Sequence, residues 1–481
     1  MTSEWMSRRA WLGAGAAAVS ASACRVDRAG DDVQQQSAQV LDVRQFGATG
    51  NGRDDDYPAI ARALDAARKT GEFGEGTRGA VVFFPPGVYR VTRPLDCNGG
   101  QMNLRGAGPY QSVVRGDTGD GGAIIECIGG RFSSFRGLTL DTRAMRNRST
   151  VGILVGRNPR GEQAGDMHFQ ELTVHIDPNP RANGGRGTVG LYNVAAEVQG
   201  GQSCTFGGDV GAVFTPGNYW RLAPRHTSML AGEGSMTVVR FVGHNTFYGI
   251  HGPALRLEGG ASFHFEAFLS SWAGTAMAPQ VQRYGAAIEV LGSMADLTWR
   301  GYLEGFHRLM RIHRVPVVGL RLEGFASRTP PAPFIQLDAA GGIDGGSIDI
   351  APTQDTQGVE SPLIESEPGM QSMVRNTHLW LRNQTIRLQG GATLFQNNLV
   401  VAQTPLARAA ASITAARMGG NVILASDGVE AGGTRLAGSG PTSARPSAAS
   451  LGAGAQFYDT RLRRPLWSDG QAWRDAMGNA V

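Results

Sequence analysis

The stretch Val40-Leu-Asp-Val-Arg-Gln-Phe-Gly-Ala-Thr-Gly-Asn-Gly-Arg-Asp-Asp-Asp-Tyr-Pro-Ala-Ile60 decides the fold. A short apolar strand is followed by a Gly-rich turn, three aspartates and a segment of helical period. Ile60, Leu64 and Ala67 recur at i, i+4 and i+7, so a helix is predicted over Pro58–Lys69 with aspartate at its N-terminus. Beyond it, Gly79-Ala-Val-Val-Phe-Phe-Pro-Pro-Gly-Val-Tyr-Arg-Val91 reads as an apolar strand, a Pro-Pro-Gly turn and a second strand. Leu104-Arg-Gly-Ala-Gly108 follows.

In this order the three motifs resemble the N-terminal signature of the pectate lyase superfamily domain, found in pectin-lyase-like enzymes and phage tailspikes. There a DFGA-GDG-DD-AI entry leads to FPPG-Y and then to L-G-G. The resemblance implies an all-β fold, a right-handed parallel β-helix whose N-terminal end is capped by the Pro58–Lys69 helix. It also implies that Asp54, Asp55 and Asp56 are structural: an aspartate there satisfies free helix N–H groups and complements the helix dipole.

Composition agrees with a long repetitive domain. The chain has 481 residues and 69 glycines, about twice the usual glycine share. Charged residues are 18 % and aromatics 7 %, which excludes a coiled coil and a charged disordered chain. Net charge is +4, carried by arginine and a single lysine, Lys69. No basic stripe with interleaved aromatics appears, so a nucleic-acid partner is not expected. Cys24, Cys97, Cys127 and Cys204 are too few and scattered for a disulfide framework.

Residues 1–24 read as an address. Ser7-Arg8-Arg9-Ala10-Trp11-Leu12 resembles the twin-arginine export motif, and the apolar run behind it is too short and Ala/Gly-rich to span a membrane. Ala21-Ser22-Ala23-Cys24 resembles a loose lipobox, which would make Cys24 a lipid anchor; cleavage after Ala21 or Ala23 is the alternative. Either way the expected location is periplasmic, envelope-anchored or secreted, and the remaining cysteines are expected as buried thiols. Residues 25–39 read as a linker and 40–405 as the β-helix. Residues 406–454, rich in Ala, Gly and Ser, read as linker or weak final rungs, and 455–481 as a hairpin appendage turning at Asp469-Gly470. In that appendage Trp467 and Trp473 read as a packing pair.

Within the β-helix, alternating segments such as Phe135 to Asp141 and Met167 to Ile176 are separated by Gly, Asn or Asp. Leu255-Arg-Leu-Glu-Gly259 recurs identically at Leu320 to Gly324, read here as three coils of roughly 22 residues. One coil cannot bury its own apolar face, so such coils must stack.

The aspartate set of polygalacturonases is absent, and His175-Ile-Asp177-Pro178-Asn179 lacks the histidine of the Asp-Pro-His signature of mannuronan epimerases; Asp177 therefore reads as a turn residue. Histidine density is more informative: six of the nine, His226, His244, His251, His264, His307 and His313, fall in the middle of the chain. In Phe263-His-Phe-Glu266 the phenylalanines face inward, leaving His264 and Glu266 outward. In Leu297 to Glu304 the leucines and Trp299 face inward, leaving Arg300, Tyr302 and Glu304 outward. His264, Glu266, Arg300, Tyr302 and Glu304 are thus the catalytic candidates, with His244, Trp272, Arg321 and Glu323 as substrate-binding candidates.

Two chemistries fit. In a lyase Arg300 would neutralise a uronate carboxylate while His264 or Tyr302 moves the proton. In a hydrolase Glu266 and Glu304 would be acid and base; two coils apart, they would lie about 10 Å from each other. A ladder of alternating charges on a solvated face is the plain alternative. Gly341-Gly-Ile-Asp-Gly-Gly346 lacks the ligand count of a calcium loop, so no metal or cofactor is expected. The expected function is an exported carbohydrate-active protein cleaving an acidic polysaccharide, lyase favoured over hydrolase. A non-catalytic exopolysaccharide-binding protein or tailspike-like adhesin, with a homotrimer as one assembly, is the competing class.

Overall fold

The computed structural model describes residues 39–70, 80–156, 164–217, 237–271, 285–326, 332–338, 340–352, 362–368, 371–431 and 434–481. The twin-arginine motif, Cys24, His226, Trp272 and Tyr284 lie outside them.

Successive strands pair in parallel and build three long faces. One is a 12-stranded sheet running from Leu95–Asp96 to Ile413–Thr414. The other two belong to one 27-stranded sheet, because several strands bend and serve both. In Thr237–Gly249, for example, Val239 and Phe241 pair with Phe263 and Phe265 on the first face. Thr246 and Phe247 pair with Thr205 and Phe206 on the second. The chain is a parallel β-helix, as its opening motifs imply.

Aromatic rings fill the centre. Phe135 stacks on Phe169 at 5.8 Å, Phe169 on Phe241 at 6.4 Å, and Phe241 on Phe265 at 5.9 Å. In register, Gly201 sits between Phe169 and Phe241. A Cβ on Gly201 would lie 2.0 Å from the Phe241 ring, so glycine is what lets the two rings meet across that coil. Cys97, Cys127 and Cys204 are buried thiols, and burial pushes Cys127 up to about 12 and Cys204 to about 11.

The predicted helix occupies Tyr57–Thr70, burying Ala59, Ile60, Ala63, Leu64 and Ala67 in the core shared with the first strands. The aspartates divide the work differently from the expected helix cap. Asp55 accepts from the Tyr57 N–H at 3.2 Å and also binds the Thr92 hydroxyl. The buried Asp56 carboxylate instead turns back to the Gly-rich turn, accepting from Thr49 N at 2.6 Å and Gly50 N at 3.2 Å. Asp56→Ala should therefore lower stability by about 1–3 kcal/mol, read by denaturation, while activity per folded molecule stays unchanged.

One sequence expectation needs correction. The identical pentapeptides are not equivalent rungs: Leu255–Leu257 is on the 12-stranded sheet, whereas Leu320 to Gly324 belongs to Pro316–Ala326 on the other. Residues 406–454 hold a short helix, Leu406–Ala411, and strands such as Val422–Ala425 and Gly428–Ala431. The terminal segment folds as antiparallel strands Ala453–Asp459 and Arg464–Asp469, with Trp473 buried on Phe457.

Candidate functional site

Alternation places the outward side chains as expected. Leu297, Trp299 and Leu303 are buried, while Arg300, Tyr302 and Glu304 are exposed. His264 and Glu266 are half-buried on the preceding strand, Gly260–Ser270. Register then sorts the outward residues into rows along the helix axis. Glu266, Arg300, Glu323 and Asp349 form one row. Phe268, Tyr302 and Phe325 form the next, at the start of the second face.

Gly243, His244, Asn245, Thr246, Glu266, Arg300, Tyr302, Phe268 and Phe325 line an open groove of about 580 Å³. Glu266 is its fixed charge. Its carboxylate accepts from Gly243 N at 2.7 Å and lies 3.6 Å from His264 Nε2. The Gly243 N–H, then His264 and Arg300, hold it below the usual carboxylate range. Arg300 reaches Glu323 at 3.6 Å, with both side chains 62 % exposed. Arg321 is held outside the groove by Asp296 at 2.7 Å. His244 is exposed at the rim, and Trp272 lies outside the described residues.

The expected two-coil separation of Glu266 and Glu304 is not found. Glu266 pairs with Arg300 and Ser270 with Glu304, so a single coil separates the two carboxylates, offset by four residues along the strand. The reason is that this coil carries the long connection between Ser271 and Gly285. One coil step and four strand residues put the two backbone positions about 14 Å apart.

Phe268 and Phe325 were not expected from sequence, although strand alternation from Glu266 and Glu323 points both outward. Tyr302 packs against Phe268 with the rings tilted and 5.6 Å apart, and Phe325 is 59 % exposed. Three aromatics beside a row of alternating charges give the groove flat apolar faces next to a guanidinium. Asp344 of the Gly-rich segment is paired with Arg375 and Asn376, each at 2.7 Å. Among the described residues no cluster of three His, Cys, Asp or Glu is placed to hold a metal ion, and no helix is long and apolar enough to cross a membrane.

Mannuronan C5-epimerase AlgE6 of Azotobacter vinelandii is 30 % identical over 159 residues, 33 % of this chain and 14 % of that protein. Alginate lyase 7 of the same organism is 28 % identical over 132 residues, 27 % of this chain and 12 % of that protein. The matched region is thus a small part of each relative's length. Among solved structures, the A-module of the A. vinelandii epimerase AlgE4 aligns with 73 % of this chain and 98 % of its own, at 17 % identity and TM-score 0.39. Residues 40–126 match the family model described as rhamnogalacturonase A/epimerase, pectate lyase-like, and over that stretch the chain carries this pectate-lyase-like domain.

Proposed function

We propose that this is an exported carbohydrate-active protein that binds an acidic polysaccharide along its outward face and cleaves it by β-elimination. The observation that carries the reading is the groove itself. An exposed guanidinium, Arg300, stands beside the aromatic row Phe268, Tyr302 and Phe325. Sugar rings present apolar faces to aromatics, and a uronate adds a carboxylate for Arg300 to neutralise. The names of the relatives, mannuronan epimerase and alginate lyase, point to the same class of polymer.

The carboxylates favour elimination over hydrolysis. Glu266, held ionised by its Gly243 hydrogen bond, is unsuited to be the protonated acid of a hydrolase. Mannuronan, polyguluronate and polygalacturonate, each mixed with the protein, test the reading directly. Absorbance rising near 235 nm is the expected result, since elimination leaves a C4=C5 double bond conjugated with the carboxylate. New reducing ends without that absorbance would mean hydrolysis; binding with neither would mean an adhesin.

A further inference from the structure

A second cationic recess, of about 290 Å³, lies nearer the C-terminus, at the corner where the second face turns into the 12-stranded sheet. Arg382 comes from the bend after the strand Met373–Leu381, and Thr385 and Arg387 from the strand Thr385–Arg387. Arg408 comes from the helix Leu406–Ala411. Among the described residues no aspartate or glutamate lines the recess. Its walls are held. Gln384 is buried, accepting from the Arg382 N–H at 2.8 Å and donating to the Ile350 carbonyl at 3.0 Å, which fixes the bend. Asp427 accepts from the Leu406 N–H at 2.6 Å and fixes the start of the helix.

Arg382 pairs with Asp349 at 2.7 Å. Arg387 is exposed and forms no ion pair among the described residues; its register neighbour Glu365 is engaged by Gln389 at 3.4 Å. The Thr385 hydroxyl is shut off from solvent and has no hydrogen-bond partner. Three guanidiniums without a lining carboxylate make the recess positive, and the unpaired hydroxyl beside them calls for a polar group. Register ties this recess to the groove. The outward row Glu266, Arg300, Glu323 and Asp349 ends against Arg382. Ile348 pairs with Leu379, which sets the half-buried Trp380 next in that row. The three coil steps from Arg300 to Trp380 span about 14 Å along the axis. Each end thus offers a ring and a guanidinium together: Tyr302 with Arg300, and Trp380 with Arg382.

We propose that the recess around Arg382, Arg387 and Arg408 is a distal subsite for a uronate carboxylate of the same polymer chain that fills the groove. One chain is then held at two points about 14 Å apart. This rests on the acidic-polysaccharide reading above, and it holds whether or not the chain is cleaved. A free phosphate or sulfate would satisfy the arginines but would leave Trp380 without a partner, whereas a uronate ring brings both a carboxylate and an apolar face. Once one point is occupied, the second contact forms within a single complex, so a long chain binds more tightly than either contact alone allows. A sugar too short to span both points gains nothing from the arrangement.

Arg387→Gln tests the assignment, because Arg387 is exposed and its loss leaves the wall of the recess in place. Affinity electrophoresis compares wild type and variant in gels holding mannuronan, polyguluronate or polygalacturonate, each as full polymer and as disaccharide. The wild-type protein should bind at least one full polymer far more tightly than the matching disaccharide. In Arg387→Gln that gain should shrink by ~10- to 100-fold, the range for one charge-assisted hydrogen bond, with the denaturation midpoint unmoved. Thr385→Val keeps the side-chain shape and removes the hydroxyl. It should shrink the gain by about fivefold, and it carries the test if Arg387→Gln fails to fold. An unchanged gain in both variants would overturn the distal subsite while leaving the groove and its class of polymer standing. Loss of dextran sulfate binding in Arg387→Gln, with uronate binding intact, would overturn it in favour of a sulfate or phosphate ligand. If the wild-type protein is retained by none of the three uronate polymers, the acidic-polysaccharide reading falls and the subsite with it.

Discussion

Arg300→Ala is expected to lower kcat/KM on a uronate polymer by ~10- to 100-fold, the range for losing one charge-assisted hydrogen bond, with the loss carried by KM. Arg300 contacts Glu323 at 3.6 Å on an open surface. Such a pair contributes at most about 1 kcal/mol to stability, so melting should barely move. The split between KM and kcat is therefore the informative reading. A loss in kcat would place Arg300 on the reacting uronate, beside His264 and Tyr302, the candidates that alternation suggests.

Gly301→Ala should be the most damaging small substitution on this face, lowering stability by about 3 kcal/mol through overpacking. A Cβ at Gly301 would lie 2.1 Å from the Ala267 carbonyl oxygen. That oxygen is backbone of the preceding coil and cannot swing aside, because Ala267 and Gly301 are register partners in a continuous ladder. Gly324 repeats the arrangement, its Cβ direction aimed 2.0 Å from the Gly301 oxygen. Gly391, with nothing near its Cβ position, is the control; its alanine variant should stay within about 0.5 kcal/mol of wild type. Denaturation midpoints of the two variants settle the comparison.

These two glycines illustrate what a single sequence reveals. The opening motifs carry the fold, because each is a local pattern: the Gly-rich turn that Asp56 ties down, the amphipathic helix, the apolar strand ending in Pro85-Pro86. Inward and outward assignment also follows locally, and Phe263, Phe265, Leu297 and Trp299 are buried as alternation requires. Coil length does not follow, because connections such as the one after Ser271 add residues without adding a strand to these two faces. An error of one coil moved Glu304 from opposite Glu266 to opposite Ser270. The arginine recess is harder still, since Arg382, Arg387 and Arg408 come from a bend, a strand and a short helix that no local pattern links.

The aromatic stack from Phe135 to Phe265 has a consequence in time. In a solenoid each coil is stabilised mainly by its neighbours, so opening proceeds from the ends inward. The coils holding stacked rings at 5.8–6.4 Å should then be the last to exchange their amide hydrogens. Glu266 and Phe268 of the groove share the strand Gly260–Ser270 with Phe265, the last ring of that stack. Under the proposed reading, a polymer binding this face would therefore meet a backbone that does not rearrange on the time scale of binding, and the entropy lost on association would fall on the sugar chain.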